Sequence, residues 1–554
     1  MSNKMSLAQQ LPSDVLRLII QRVVKKEETP FDGVVCQKDE MKELLFVCSD
    51  WRQAALEYMW SELCLIIDPV KHAISVSQPQ WAKRFKMPAD SANLVREVHV
   101  NIPWPCIIDG SACKLLEEFM RDTANLPLVH KLRIIFNKYP PNANITKDDA
   151  ISNGAKLAQL LKSKTRDAFT SVEVVCLGGT MYMHNFVERA FGALVESLCG
   201  NSKRSMIDLG MIRLRYADTV GQIPQLSSLS LTSYNVDDFR TALMHKSAAT
   251  LLDLNIGICI PKALIYDANG NAVIYPNLSH LKVFPRDYDR TVQRILSPGI
   301  TPFPALTSLR LSLTYPFGDD VFFRGNSSTL EYLKIIIDSE TAIMLSTSSA
   351  FDRPFRKLQR VDIGESHDFG DLAAIPEANI KNLLRNLMGA ARGVRFSSAL
   401  YLELLVTAAP RIRGFEHVQD LHFYMAKLSL FDVIRVVGVL PGLTKLACGI
   451  NGVGSEFSHI PARDLPDHIV ATYGTKGNSL CELNTDLARG VNIMEAANFA
   501  MLLALACPRL SKIGSARVAP PPVYYAKITK SLGRKPFNKY ASQLKRLLRP
   551  PTDK

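Results

Sequence analysis

A chain of 554 residues that is 47% hydrophobic and 21% charged has the composition of an ordinary soluble protein, long enough for several domains or one long repeat array. No apolar run approaches the roughly 18 residues that a bilayer span needs, and Met1 to Gln10 is polar, so neither a membrane anchor nor a secretory leader is expected and the expected compartment is cytoplasm or nucleus. The net charge of +13 is uneven: from Pro521 onward nine Lys and Arg face one acid, Asp553, so that tail carries +8 and the preceding body only about +5.

In chain order, the first predicted element is a helix. Ser13 or Asp14 can cap it, and Leu16, Ile19, Ile20 and Val23 follow on one face. A charged stretch from Lys25 to Lys42 reads as a surface loop. A second helix is predicted to carry Leu44, Val47, Cys48 and Trp51, and Trp60 and Leu63 follow on a third short element. Roughly fifty residues are too few for a self-sufficient core. Such a segment is either a cap on a larger domain or a docking module.

The combination Leu11-Pro12, Val15-Leu16, Ile19-Ile20, then Val47-Cys48-x-x-Trp51-Arg52-x-x-Ala55 and Trp60 resembles an F-box, over about residues 8–65. The stretch between the first two helices is about a dozen residues longer than the family's usual link. By resemblance, Leu11, Pro12, Val15, Leu16, Ile19, Leu44, Val47, Trp51 and Trp60 would form the surface that docks a Skp-type adaptor.

Beyond this segment a short apolar formula recurs, L-x-x-L-x-L with Leu, Val and Ile interchangeable. It appears as Val95/Val98/Val100, Val129/Leu132/Ile134, Val172/Val175/Leu177, Leu226/Leu229/Leu231 and Leu251/Leu254/Ile256. It continues as Leu278/Leu281/Val283, Leu306/Leu309/Leu311, Leu330/Leu333/Ile335, Leu358/Val361/Ile363, Val418/Leu421/Phe423, Leu443/Leu446/Cys448 and Leu510/Ile513. From Leu229 to Val361 the central residues step by 25, 27, 28, 24 and 28, a leucine-rich-repeat period. Elsewhere the steps lengthen to 34, 43, 54 and 60, which requires insertions or unreadable units. Pro-x-Leu opens several units, as at Pro224, Pro276, Pro304, Pro441 and Pro508. Helical faces lie between: Val187/Phe191/Leu194/Leu198 ending at Gly200, Ile380/Leu383/Leu384/Leu387 ending at Gly389, and Ala496/Phe499/Leu503/Ala506 after an Asn492–Glu495 capping box.

The predicted fold class is therefore α/β, with a small all-α F-box at 8–65, an irregular solenoid of parallel strands plus helices at 66–520, and a basic tail at 521–554. The whole resembles divergent, fungal-type F-box proteins with leucine-rich repeats. That resemblance implies a substrate-recognition adaptor of an SCF-type cullin-RING ubiquitin ligase, joined to cullin through the Skp-type adaptor, with the repeats holding a target protein. A non-catalytic scaffold and a nucleic-acid-associated protein acting through the tail are the alternatives; the tail reads first as a solvated end, and neither nucleic acid nor membrane is an expected partner.

In a parallel array the residue after each central leucine faces away from the core. That position reads Ser230, Asn255, Lys282, Arg310, Lys334 and Asp362 in successive units. Lys282, Arg310 and Lys334 are consecutive, a positive ladder spanning about 10 Å, with His280, Phe284 and Tyr332 beside it. This is the expected target-binding face, suited to an acidic or phosphorylated segment.

Catalytic signatures are missing. Asp368-Phe369-Gly370 matches a kinase triplet without its companion loops. The pairs Asp237-Asp238 and Asp319-Asp320 suit helix starts. The eleven cysteines form no C-x-x-C pair and read as reduced packing residues. No enzyme activity, cofactor or metal is expected.

Overall fold

The computed structural model describes residues 11–12, 15–16, 19–20, 26–29, 33–36, 47–68, 70–76, 93–122, 126, 128–137, 147–163, 169–177, 185–200, 202–209, 217–231, 238–259, 264–285, 300–312, 322–323, 328–337, 355–365, 391–396, 417–450, 479–487, 507 and 509–514. The chain divides into two compact units, Met1–Leu278 and Ser279–Lys554. Among the described residues, no helix is long and apolar enough to cross a membrane.

The first unit opens with a helical turn, in which the amides of Val15 and Leu16 donate to the carbonyl of Pro12. The stretch expected as a loop contains an antiparallel hairpin, β1 (Lys26–Thr29) and β2 (Gly33–Cys36). Thr29, Val34 and Val35 supply the β-branched residues for it. Helix α1 (Ser49–Trp60) starts later than predicted: Cys48 is extended, with φ −164° and ψ 179°, and Val47 lies in a turn before it. Asp50 in the first turn suits a start at that point.

Immediately after α1 the chain enters β3 (Glu62–Asp68), which pairs antiparallel with β4 (Ala73–Val76) and parallel with β5 (Glu97–Pro103). Parallel pairing then runs through β6 (Lys131–Asn137), β7 (Ser171–Cys176), β8 (Arg204–Asp208), β9 (Ser228–Leu231) and β10 (Asp253–Cys259). The crossovers carry α2 (Trp104–Ile108), α3 (Ser111–Asp122), α4 (Lys147–Ser163), α5 (Asn185–Cys199), α6 (Ala217–Gln222) and α7 (Asp238–Lys246). The predicted face Val187/Phe191/Leu194/Leu198 is buried on α5, and the helix ends where expected, with the amide of Gly200 donating to the carbonyl of Glu196. A core of stacked rings joins sheet to helices: Trp104 on α2 lies 4.4 Å from Phe136 on β6, and Phe191 on α5 sits 6.0 Å from Trp104. Helices α4 and α5 approach closely at Gly154, where an added Cβ would stand 2.5 Å from the carbonyl oxygen of Ala190.

Leu63, Val98, Leu132, Val172 and Ser205 align across the ladder, flanked by Leu65, Val100, Ile134, Val174 and Ile207. The predicted unit Val172/Val175/Leu177 was therefore read three residues late; the formula is Phe169/Val172/Val174, all buried. An aromatic in its first position hid it. Trp60/Leu63/Leu65 fits the same formula and is equally buried. Between β8 and β9 the ladder slips by two, so Leu229 pairs with Ile207. Two is the side-chain period, so the slip keeps every residue on its own face.

The second unit repeats the plan with β11 (His280–Pro285), β12 (Ser308–Ser312), β13 (Tyr332–Ile337), β14 (Arg360–Glu365) and β15 (Gly393–Phe396). It continues with β16 (Asp420–Leu428), β17 (Lys445–Ile450), β18 (Glu482–Leu487) and β19 (Lys512–Gly514). All neighbours are parallel. Leu281, Leu309, Leu333, Val361, Val394, Leu421, Leu446 and Leu483 occupy one buried row. Two units unread in the sequence fill the long gaps: Ala391/Val394/Phe396, and Leu480/Leu483. Hydroxyls after the first apolar residue tie successive turns together, as Thr307 Oγ1 donates 3.0 Å to the carbonyl of Ser279 and Thr444 Oγ1 donates 2.9 Å to that of Gln419. Helix α8 (Leu430–Val439) begins with a capping box in which Ser429 and Asp432 satisfy each other's backbone amides. The predicted helices at 380–387 and 496–506 lie outside the described residues.

Both units are thus mixed α/β on a mostly parallel ladder; helices lie in the crossovers of the first, and α8 is the one helix described in those of the second, which is consistent with a repeat solenoid.

Candidate functional site

Strand alternation puts the residues between the buried leucines on the opposite, polar face of each sheet. In the second unit two polar rows run across the strands. One reads Lys282, Arg310, Lys334, Asp362, Arg395 and His422; its neighbour reads His280, Ser308, Tyr332, Arg360, Gly393 and Asp420. Lys282, Arg310 and Lys334 are direct register partners on β11, β12 and β13. Arg360 and Arg395, which sequence reasoning left out, extend the basic surface onto β14 and β15. Arg360 escaped because it sits two residues before the position considered, and Arg395 because its unit was unread.

One carboxylate organises this surface. Asp362 is 7% exposed. Its oxygens accept from Tyr332 Oη at 2.8 Å, from Arg360 Nε at 3.1 Å and from Arg360 Nη2 at 3.3 Å, and Arg395 Nε lies 3.9 Å away. The Tyr332 ring carries guanidiniums from the strands on either side, Arg310 at 5.3 Å and Arg360 at 5.4 Å from its centre. Burial, and then the hydrogen bond to Asp362, push the phenol up to about 12, so it stays a neutral donor at physiological pH. Desolvation, and then the nearby Arg395, hold buried His422 below the usual imidazole range, which keeps it uncharged at neutral pH. Across β11–β15 these two rows hold five fixed cations and one acid. Arg310 is exposed and Lys334 half-buried. His280 is exposed, its Nδ1 within 2.8 Å of Ser279 Oγ. The side chain of Phe284 lies outside the described residues. Chemically the arrangement suits binding of an anion by charge-assisted hydrogen bonds.

The N-terminal candidates separate into three groups. Leu16 and Trp60 are buried: with Ile20, Ala54 and Ala55 they form a core cluster and present no exposed surface. Trp60 also stands in the first position of the repeat formula Trp60/Leu63/Leu65. Leu11 and Trp51 are partly buried against that cluster, and Ile19 is half-buried. Pro12, Val15 and Val47 remain exposed, Val15 by 38% and Val47 by 48%. Leu44 lies outside the described residues.

Other sequence candidates gain nothing from the fold. Asp238 opens α7, as expected of an acid at a helix start. Asp237, Asp319, Asp320, the Asp368-Phe369-Gly370 triplet and the basic tail lie outside the described residues. The nine cysteines whose state is described are free thiols. Burial pushes the thiols of Cys199, Cys448 and Cys507 up to about 12, which makes them poor nucleophiles.

No protein-family model matches the chain. No curated protein matches it either. Among solved structures, the crystal structure of a Bacteroides fragilis protein from a structural genomics programme is similar at 9% identity and a TM-score of 0.22, covering 81% of this chain and 80% of that one. A likeness of that size carries no argument about function.

Proposed function

We propose that this chain is a non-catalytic recognition subunit, in which the polar face of the second unit holds an acidic or phosphorylated segment of a target protein. The observation that carries the reading is the charge imbalance across β11–β15, where the two rows hold Lys282, Arg310, Lys334, Arg360 and Arg395 against one acid, Asp362. That leaves a positive excess about 19 Å wide at a strand spacing near 4.8 Å, which suits an extended acidic segment. Such a surface binds through charge and so weakens with salt.

The finer reading is a substrate adaptor of an SCF-type ubiquitin ligase, and it rests on the resemblance of residues 8–65 to an F-box. Pro12, Val15 and Val47 are the members of that set exposed enough to meet a Skp-type adaptor. Two experiments test the reading. An acidic phosphoserine peptide should bind the full chain, and K282S/R310S/K334S should weaken it at least tenfold while Lys131→Ser in the first unit leaves it unchanged. Equal binding by the triple variant refutes recognition by this face. Co-purification with a Skp-type adaptor should be lost in V15E/V47E, changes at exposed positions that spare the core. Failure of the wild-type chain to co-purify removes the ligase role and leaves a scaffold.

A further inference from the structure

The first unit carries a second cluster, on the polar face where β3 meets β5. Glu62 pairs in register with Glu97, and Cys64 with His99. The sequences Glu-x-Cys and Glu-x-His thus put four polar side chains on one face of two neighbouring strands. Ligand atoms of Glu62, Cys64 and His99 all lie within 4.8 Å of one another. His99 Nδ1 stands 3.3 Å from Glu62 Oε1, and Cys64 Sγ lies 4.0 Å from the same oxygen. The other ring nitrogen, Nε2, faces Glu97 Oε2 at 3.6 Å, and Lys131 Nζ holds that carboxylate at 3.1 Å.

We propose that Glu62, Cys64 and His99 bind a divalent transition metal, with zinc the best match. Three arguments support this. The first is donor chemistry: one imidazole nitrogen, one thiol sulfur and one carboxylate oxygen form a borderline set that suits zinc better than magnesium or calcium. The second is size: tetrahedral zinc with bonds near 2.0–2.3 Å separates its ligands by about 3.3–3.7 Å, so the imidazole–carboxylate distance already fits, while the sulfur must close on the carboxylate from 4.0 Å and on the imidazole from within 4.8 Å. The third is the shell behind the ligands. A metal-bound histidine is usually oriented by a carboxylate on its other nitrogen; buried Nε2 has no hydrogen-bond partner among the described residues, and Glu97, fixed by Lys131, stands 3.6 Å away to take up that role. Charge also closes, since a thiolate and a carboxylate neutralise a divalent ion. On binding, the Cys64 thiol gives its proton to solvent and its sulfur lone pair to the metal.

Burial sharpens the case. Glu62 is 9% exposed and His99 is 6% exposed, whereas Cys64 is half-buried. The next cation along this row, Arg133, is drawn away to Glu173, Nε to Oε1 at 3.3 Å. Among the described strands, β4 joins β3 only from Leu65 onward, so β3 has β5 as its sole ladder partner at Glu62–Cys64. Three protein ligands leave a fourth position for water or an incoming group.

The test uses the full chain, stripped with a chelator and titrated with zinc or cobalt. One zinc should bind per chain, cobalt should give a thiolate-to-metal charge-transfer band, and zinc should raise the thermal midpoint. Cys64→Ser should abolish the band and weaken zinc at least a hundredfold. Glu97→Gln, which keeps all three ligands, should weaken it by about 10–100-fold. Should Cys64→Ser fail to fold, peptide-resolved alkylation of the wild-type chain decides: zinc must protect Cys64 and leave exposed Cys481 reactive. Substoichiometric zinc, or equal alkylation of Cys64 with and without zinc, overturns the proposal and leaves a polar His99–Glu62 contact.

Discussion

The two units share one scaffold and differ in how their polar faces balance charge. In the first, cations have acids on the adjacent strand: Lys131 reaches Glu97 and Arg133 reaches Glu173. In the second, Lys445 likewise reaches Glu482, but across β11–β15 five cations stand in two rows with one acid, Asp362. The buried rows are nearly interchangeable, so the difference arises from single residues at positions the fold leaves open. A parallel ladder fixes where each side chain stands about every 4.8 Å. It does not dictate sign, and sign decides whether a face neutralises itself or awaits an anion.

The largest expected effect tests whether the scaffolds are equivalent. Leu333→Ala in the second unit and Leu132→Ala in the first each remove a fully buried side chain, at an expected cost of about 2–5 kcal/mol. Chemical denaturation should register both, and a negligible change at either site would break the equivalence. Gly154→Ala should cost the first unit about 1–3 kcal/mol by forcing α4 from α5, whereas Gly393→Ala, with 3.8 Å of clearance, should be close to neutral.

Charge arrangement comes next. Asp362→Asn should destabilise by about 2 kcal/mol, because a buried acceptor of charged donors is lost. Glu97→Gln, at 27% exposure, should cost under about 1 kcal/mol without metal. Equal losses would erase the contrast between a buried hub and a semi-exposed pair.

The smallest effects concern pH. Tyr332 is a stronger proton holder folded than unfolded, so the stability it contributes is full below pH 10 and lost as pH rises toward about 12. Tyr332→Phe should cost about 1 kcal/mol at neutral pH and flatten that alkaline decline. His422 has the opposite sign. Its folded form disfavours the proton, so its contribution is present above the unfolded value of 6.5 and falls as pH drops below it. His422→Gln should make the chain less sensitive to mild acid.

Where the apolar formula stays close to leucine, the sequence was readable: five of the alignments from Leu226 onward reappear as ladder pairs, Leu229 with Leu254, Leu281 with Leu309, Leu309 with Leu333, Leu333 with Val361 and Leu421 with Leu446. It failed where another residue does leucine's task. Ser205 occupies a buried row position, its hydroxyl donating 3.3 Å to the carbonyl of Gln225 instead of packing as a hydrocarbon. Ala391 and Phe396 bracket Val394 in a unit whose first member is small and last is aromatic. The register of Lys282, Arg310 and Lys334 was legible because their units were regular; Arg395 was lost with its irregular unit.

By itself the sequence determined the parallel repeat plan, because a period of 24–28 residues with a fixed apolar formula has few other ways to bury its leucines. Only the tertiary structure decided which polar residues meet. Asp362 gathers Tyr332, Arg360 and Arg395 from three strands, and Glu62, Cys64 and His99 converge across 37 residues of chain. The reason is physical: apolar burial is written in local periodicity, whereas a charge finds its partner through register between strands, which packing sets.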